Sequence, residues 1–202
     1  MKLYFSPGSC SLASRIALLE AGMNAEYVSV DLRTKLDQTG ADYTKVNPKG
    51  YVPALMLPNG QTMTEGVAIL QWVADQNTAK NLLPAWGTAE RYKAIEWFNY
   101  VATEVHKSYS PLFRPGLSDE QKANQVGVIQ KRLQLLETQV GTAGYVLGKD
   151  YSFVDTYLFV ILSWSPRVGV DLEKFPNLRG FMERVRSRPA VAQALAAEFP
   201  KA

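Results

Sequence analysis

The spacing of apolar residues changes once along this chain, near NLLPAWG at 81–87, and that change constrains the fold more than any other feature. Before it, short extended runs alternate with helical ones. KLYF (2–5) reads as a buried strand closed by Pro7-Gly8, and Leu12, Ile16 and Leu19 recur at helical spacing until Gly22. AEYVSVDL (25–32) and VPALML (52–57) read as further strands, and Gln61 to Met63 as a fourth after an Asn59-Gly60 turn. GVAILQWVADQ (66–76) reads as a helix starting near Thr64-Glu65. Beyond the Pro/Gly-bearing connector every strong pattern is helical: TAERYKAIEWFNYVATEVHKSY, KANQVGVIQKRLQLLETQV, FVDTYLFVILSW and LRGFMERVRS. The expectation is a small α/β domain (1–80), a linker (81–87) and a larger all-α domain (88–202).

Composition excludes several function classes. The 22 Lys and Arg against 19 Asp and Glu leave a formal charge of +3, scattered along the chain, which gives nucleic-acid or anionic-membrane binding little support. No apolar run approaches the roughly 18 residues that span a bilayer, and Pro7-Gly8 interrupt the start before a secretory signal could form. The single cysteine cannot form an intrachain disulfide, which makes a reducing cytoplasm the natural compartment. With one cysteine and one histidine, a zinc site built from these residues is nearly excluded and no metal is expected. No GxSxG elbow accompanies the histidine, against a Ser-His-Asp hydrolase.

A strand leading into SPGSCSLASRIALLEAG, then VP opening a strand, TEG opening a helix and HKSYSPLF at 106–113 together resemble the glutathione S-transferases, in particular the bacterial beta class. The resemblance runs from Met1 to about Ala196. It implies a thioredoxin-like N-terminal domain, an all-α helical-bundle C-terminal domain and a homodimer. The implied activity is conjugation of glutathione to hydrophobic electrophiles, with glutathione as co-substrate, no tightly bound cofactor, and some thiol-dependent redox chemistry.

Cys10 precedes a helix between two serines. A lone free cysteine is commonly a small buried hydrophobe, but a helix N-terminus carries partial positive charge and spare N–H donors that favour a thiolate. Without a second cysteine, a disulfide at Cys10 must be resolved by an outside thiol, for which glutathione is the candidate. Val52-Pro53 alone reads as a turn or edge-strand feature. The resemblance implies a cis bond there, which would let the Val52 backbone pair with the cysteinyl unit of glutathione like an added strand. Thr64-Glu65-Gly66 opens a helix, with Thr64 capping and Glu65 in the first turn, and it can serve at the same time as a site for the γ-glutamyl group, with Glu65 on its ammonium and helix amides on its carboxylate. Many members of the family have a serine where Gly66 stands, so here the backbone N–H would replace a hydroxyl. By position in the family, Lys35 would meet the glycyl carboxylate.

Asn99, Thr103 and His106 stand at i, i+4 and i+7, one face of an α-helix to which Tyr92, Trp97 and Phe98 add aromatic packing. The resemblance places His106 near the thiol, donating a hydrogen bond to sulfur or exchanging a proton with it, with Lys107 adding charge. Asn99, Thr103 and Glu104 would touch glutathione, some of them across a dimer interface. Tyr109, Phe113, Tyr157 and Trp164 are candidates for an apolar co-substrate wall with Arg167 at its edge, although such aromatics in a helical domain are commonly core. Ser152-Phe153-Val154-Asp155 fits a capping box opening the apolar helix through Trp164, with Thr156 as a poor staple partner for Tyr151. Two other readings stay open: a thiol-disulfide oxidoreductase or peroxidase working through a Cys10–glutathione disulfide, and a glutathione-binding protein without turnover.

Overall fold

The computed structural model describes residues 1–200 and divides into two compact units. The first is built on a five-stranded sheet in the order β3-β2-β1-β4-β5, from β1 (Lys2–Phe5), β2 (Glu26–Asp31), β3 (Leu36–Asp37), β4 (Ala54–Met56) and β5 (Thr62–Thr64). β1 and β2 are parallel because helix α1 (Ser11–Glu20) carries the chain back between them, whereas β4 and β5 form an antiparallel hairpin. The register places Tyr4 beside Val28 and Ala54, and these residues join Val30, Tyr43 and Val52 in one buried cluster. Leu3 stands beside Tyr27 and Leu55, on the opposite face by strand alternation. Helix α2 (Gly66–Gln76) packs on α1 and buries Ile69, Leu70 and Val73.

β3 has only two residues and lies in the polar segment after β2, where no strand signature is expected. It is held by backbone pairing with β2 and by Asp37, whose Oδ1 accepts from the Thr39 and Ala41 amides. Strand β5 runs one residue later than its pattern suggests, at Thr62–Thr64.

The second unit runs from Leu83 to Ser187. Thr88 caps α3 (Ala89–Asn99), which continues as a π-helix over Tyr100–His106 and a last α turn, α4 (Lys107–Tyr109). Ser118 and Gln121 form a reciprocal capping box at the start of α5 (Asp119–Val140). α6 (Phe153–Leu162) has all ten residues buried and is the centre about which this unit packs, as an all-round apolar helix requires. It ends before Trp164, two residues short of its apolar run. α7 (Pro176–Arg186) starts on a buried carboxylate of α5, since Glu137 accepts from the amides of Asn177 and Leu178 at 2.9 Å each. Tyr92 is exposed, so Trp97 and Phe98 supply the aromatic packing of α3 without it. No helix among the described residues is long and apolar enough to cross a membrane.

The expected assignment of everything after residue 88 to one helical domain is corrected at its end. From Arg188 the chain groups with the first unit, and α8 (Pro189–Glu198) packs on α1. Two ion pairs fasten it: Arg188 Nε to Glu20 at 2.6 Å, and Arg15 Nε on α1 to Glu198 at 3.1 Å. Glu198 has no exposed side-chain surface, and its Oε2 also accepts from the Gly8 amide at 2.9 Å. Burial raises its pKa, against the pull of the Gly8 N–H and Arg15. The Arg15 guanidinium lies over the rings of Phe5 and Tyr27 at 4.3 and 4.0 Å, which gives the buried cation further stabilisation.

The capping box expected at Ser152 is present, with the Ser152 side chain facing the Asp155 amide and the Asp155 side chain facing the Ser152 amide. Asp155 is fully buried and accepts from the Ser152 amide at 2.7 Å, the Ser152 hydroxyl at 2.9 Å and the Val146 amide at 2.8 Å. Burial pushes its carboxyl up to about 6 although all three donors favour the carboxylate. The Tyr151 hydroxyl meets the Thr156 hydroxyl, so a hydrogen bond stands where an apolar staple would.

Two substitutions test these contacts by urea unfolding. Glu198→Ala should cost about 3–5 kcal/mol by leaving Arg15 buried without its partner, and Glu198→Gln less, since it keeps an acceptor for Gly8. Asp155→Ala should cost roughly 2–5 kcal/mol through two buried N–H groups left without acceptors.

Candidate active site

Cys10 is half-buried and is the N-cap of α1, which places its sulfur at the positive end of that helix. The loop before it is tied down by Ser11, whose buried hydroxyl accepts from the Ser6 amide at 3.1 Å and lies 2.7 Å from the Ser9 hydroxyl. Gly8 has φ +70°, a left-handed conformation suited to glycine, and its amide is the one held by Glu198. Sequence reasoning missed Ser11 and Glu198 as positioning residues. The serine was visible beside Cys10, but a contact between Gly8 and Glu198 spans 190 positions and leaves no local signal.

The Cys10 sulfur is 3.5 Å from the Val52 carbonyl oxygen, and the Val52-Pro53 bond is cis. The approach to this bond is fixed from behind. The Tyr43 hydroxyl and the Asn47 side-chain amide both donate to the Tyr51 carbonyl, at 2.7 and 2.6 Å. Among the described residues the Val52 N–H meets no hydrogen-bond acceptor. Lys35 also belongs to this edge: its ammonium donates to the Gly50 carbonyl at 2.9 Å and lies 5.5 Å from the centre of the exposed Tyr51 ring.

Glu65 is the N-cap of α2, not a residue of its first turn, and Thr64 does not cap the helix. Its φ of +68° is a left-handed conformation that costs a non-glycine residue energy and commonly marks a functional position. Its carboxylate is 2.6 Å from the Lys49 ammonium, which also donates to the Thr64 hydroxyl at 3.0 Å. Gly66 is the first helical residue, and a Cβ there would meet only Pro53 Cγ at 3.8 Å. Space therefore does not demand glycine at this position.

In the second unit the π-helix alters the face expected for Asn99, Thr103 and His106. Its i→i+5 winding breaks the spacing rule derived for an α-helix. Asn99 and Thr103 are exposed, with the Thr103 hydroxyl donating to the Asn99 carbonyl at 2.9 Å, while His106 is half-buried. Glu104 is paired with Arg132 of α5 at 2.9 Å.

His106 sits among aromatic rings. Its Nδ1 is 2.7 Å from the Tyr157 hydroxyl, and its ring centre is 5.0 Å from that of Trp164. Trp164 in turn meets Phe113 edge-on at 5.6 Å, and the Arg167 guanidinium lies 5.8 Å from the Phe113 ring centre. Phe113 is 45% exposed, whereas Tyr157 and Trp164 keep only 5% and 7%, so Phe113 presents most of the apolar surface in this group. Tyr109 is corrected: it has no exposed surface and its hydroxyl is bonded to Ser165 at 2.7 Å, so it belongs to the core and offers no wall to a co-substrate. Burial among the rings, with the Lys107 charge adding to it, pushes the His106 imidazole down to about 4.

This depression has a consequence for stability. The folded protein binds fewer protons at His106 than the unfolded chain between about pH 6.5 and 4, so the contribution is present above pH 6.5 and is lost as pH falls through about 4. The difference in unfolding free energy between wild type and His106→Gln, followed by urea titration, should therefore shrink over that window and be flat above it.

Residues 8–76 match the family description "Glutathione S-transferase, N-terminal domain" and residues 100–189 "Glutathione S-transferase, C-terminal domain". The chain is 44% identical to glutathione S-transferase GstA of Escherichia coli O157:H7, over 98% of each protein. Among solved structures it is similar to a sphingomonad glutathione S-transferase complexed with glutathione, at TM-score 0.95 and 42% identity over 100% of both chains. It is similar also to a bacterial beta class glutathione S-transferase from Sphingomonas chungbukensis, at TM-score 0.94 and 44% identity over 98% of this chain and 99% of that one. A sheet of this order, a cysteine capping its first helix, a cis proline beside it and a helical unit that matches the second family description leave one assignment: the chain is an enzyme of the glutathione S-transferase family, of the bacterial beta type.

Proposed function

We propose that the protein conjugates reduced glutathione to small hydrophobic electrophiles, with the glutathione sulfur beside Cys10. The observation that carries this reading is the pairing of a half-buried Cys10 sulfur, 3.5 Å from the Val52 carbonyl, with a Val52 N–H that meets no acceptor among the described residues. A cysteinyl residue laid against Val52 as an added strand would satisfy that N–H and bring its own sulfur close to Cys10. The strained Glu65 and the start of α2 are assigned the γ-glutamyl group, with the backbone N–H of Gly66 serving the carboxylate. Lys35 is assigned the glycyl carboxylate. Lys35 is held by the Gly50 carbonyl and Glu65 by the Lys49 ammonium, contacts that a bound peptide would exchange.

From the helical unit, His106 is assigned a hydrogen bond to the glutathione sulfur, and Asn99, Thr103 and Glu104 polar contacts with the peptide. Phe113, Tyr157 and Trp164 are assigned the apolar side of the co-substrate. In the reaction the glutathione thiolate attacks an electrophilic carbon, a carbon–sulfur bond forms and the leaving group departs with the electron pair of its broken bond. A homodimer working in a reducing cytoplasm and removing reactive electrophiles completes the reading.

A second reading rests on the half-buried thiol itself. With no other cysteine in the chain, Cys10 could exchange with glutathione disulfide to give a mixed disulfide and one glutathione thiolate, which a second glutathione would reverse. Steady-state conjugation of glutathione to 1-chloro-2,4-dinitrobenzene, corrected for the uncatalysed rate, separates the two. A rate saturable in both substrates is expected, and Cys10→Ala should retain turnover because glutathione brings its own nucleophile. A rate no better than buffer, together with a glutathionyl adduct by intact mass, would move the assignment to thiol exchange.

A further inference from the structure

We infer that Tyr157 is a positioning residue that fixes the tautomer of His106, holding the proton on Nε2 so that His106 can donate a hydrogen bond but cannot take up a proton there. The inference rests on the reading that His106 serves the glutathione sulfur, but its first test does not.

The contact is 2.7 Å between the Tyr157 hydroxyl oxygen and His106 Nδ1. A neutral imidazole has one N–H and one bare nitrogen, so either Tyr O–H donates to a bare Nδ1 or Nδ1–H donates to the Tyr oxygen. Relative acidity selects the first, since a separation of 2.7 Å fits either donor. A phenol is the better acid of the two possible donors, and an imidazole nitrogen is a much stronger base than a phenol oxygen. The hydroxyl hydrogen therefore lies toward Nδ1, and the remaining proton of the neutral ring sits on Nε2.

The surroundings hold this arrangement in place. Tyr157 is on α6, the helix buried on every side, so its ring cannot move without disturbing the centre of the second unit. The His106 ring is crossed edge-on by Tyr157 at 5.9 Å and by Trp164 at 5.0 Å, which fixes its rotation as well. Burial keeps the imidazole neutral across physiological pH. A neutral ring with its proton on Nε2 stabilises a thiolate as a donor, and it is excluded as the base that first removes the thiol proton. That gives Tyr157 a polar task apart from the apolar one its ring suggests.

The chain has one histidine, so a protein labelled with [15N]histidine gives the signals of a single imidazole. A long-range 1H–15N correlation spectrum at pH 7 should show Nδ1 as the bare, acceptor-type nitrogen and Nε2 as the protonated one. Protonated Nδ1 in the wild type would overturn the inference whatever the activity, and so would a tautomer signature unchanged in Tyr157→Phe. That variant keeps the ring and removes only the hydroxyl; it should show mixed tautomers, with far-ultraviolet circular dichroism unchanged. If the wild type conjugates glutathione, Tyr157→Phe should lose about tenfold in kcat/KM. A wild type with the expected tautomer and no conjugation would sink the transferase reading and leave the tautomer assignment standing. Should Tyr157→Phe fail to fold, the wild-type spectrum alone decides.

Discussion

The carboxylate of Glu198 joins the two ends of the first unit. One oxygen pairs with Arg15 on α1, the other accepts the amide of Gly8, and both partners lie within five residues of Cys10. A buried carboxylate is tolerated where its charge is balanced, and here a guanidinium balances the charge at one oxygen while a backbone amide hydrogen-bonds the other. The guanidinium is itself sandwiched against Phe5 at the end of β1 and Tyr27 of β2. The loop that presents the thiol is thus held by the sheet, the first helix and the last helix together. This makes Cys10 a fixed point despite its place in a glycine-bearing turn.

The Val52 edge is built on the same plan from different groups. The Tyr51 carbonyl receives two donors from the preceding loop, and Val52 follows it into a cis bond with Pro53. The Val52 N–H meets no acceptor among the described residues, and the Val52 carbonyl lies 3.5 Å from the thiol sulfur. Open backbone groups are costly when buried and useful at an edge, where an extended peptide can satisfy them. In the helical unit the fixed point is Asp155, which fastens both the start of α6 and the Val146 turn. α6 then supplies Tyr157 to His106, so the capping contacts and the histidine are linked through one buried helix.

Much of the fold was legible in the residues because it rests on local periodicity. The strand runs around Tyr4, Val28 and Leu55, the helices from Ser11 and Gly66, and the capping residues Ser152 and Asp155 all follow from spacing and turn chemistry. The elements that escaped lack such a signal. β3 is two residues long in a polar loop, and α8 is a short alanine-rich helix without a strong apolar stripe. The π winding at Tyr100–His106 is a local choice of hydrogen-bond register that apolar spacing does not reveal. Tyr109 and Tyr157 look equivalent as aromatic residues of helical segments, yet one hydroxyl meets Ser165 in the core and the other meets His106.

By itself the sequence determined the two-part architecture, the helix start at the single cysteine and the placing of a proline after Val52, since each depends on neighbours within a few residues. Tertiary structure alone decided that the last helix belongs to the first unit, that Glu198 reaches Gly8 and that Tyr157 reaches His106. Those contacts join residues 190 and 51 positions apart. Their partners are selected by burial, which forces each polar group to find a donor or acceptor wherever packing has placed one.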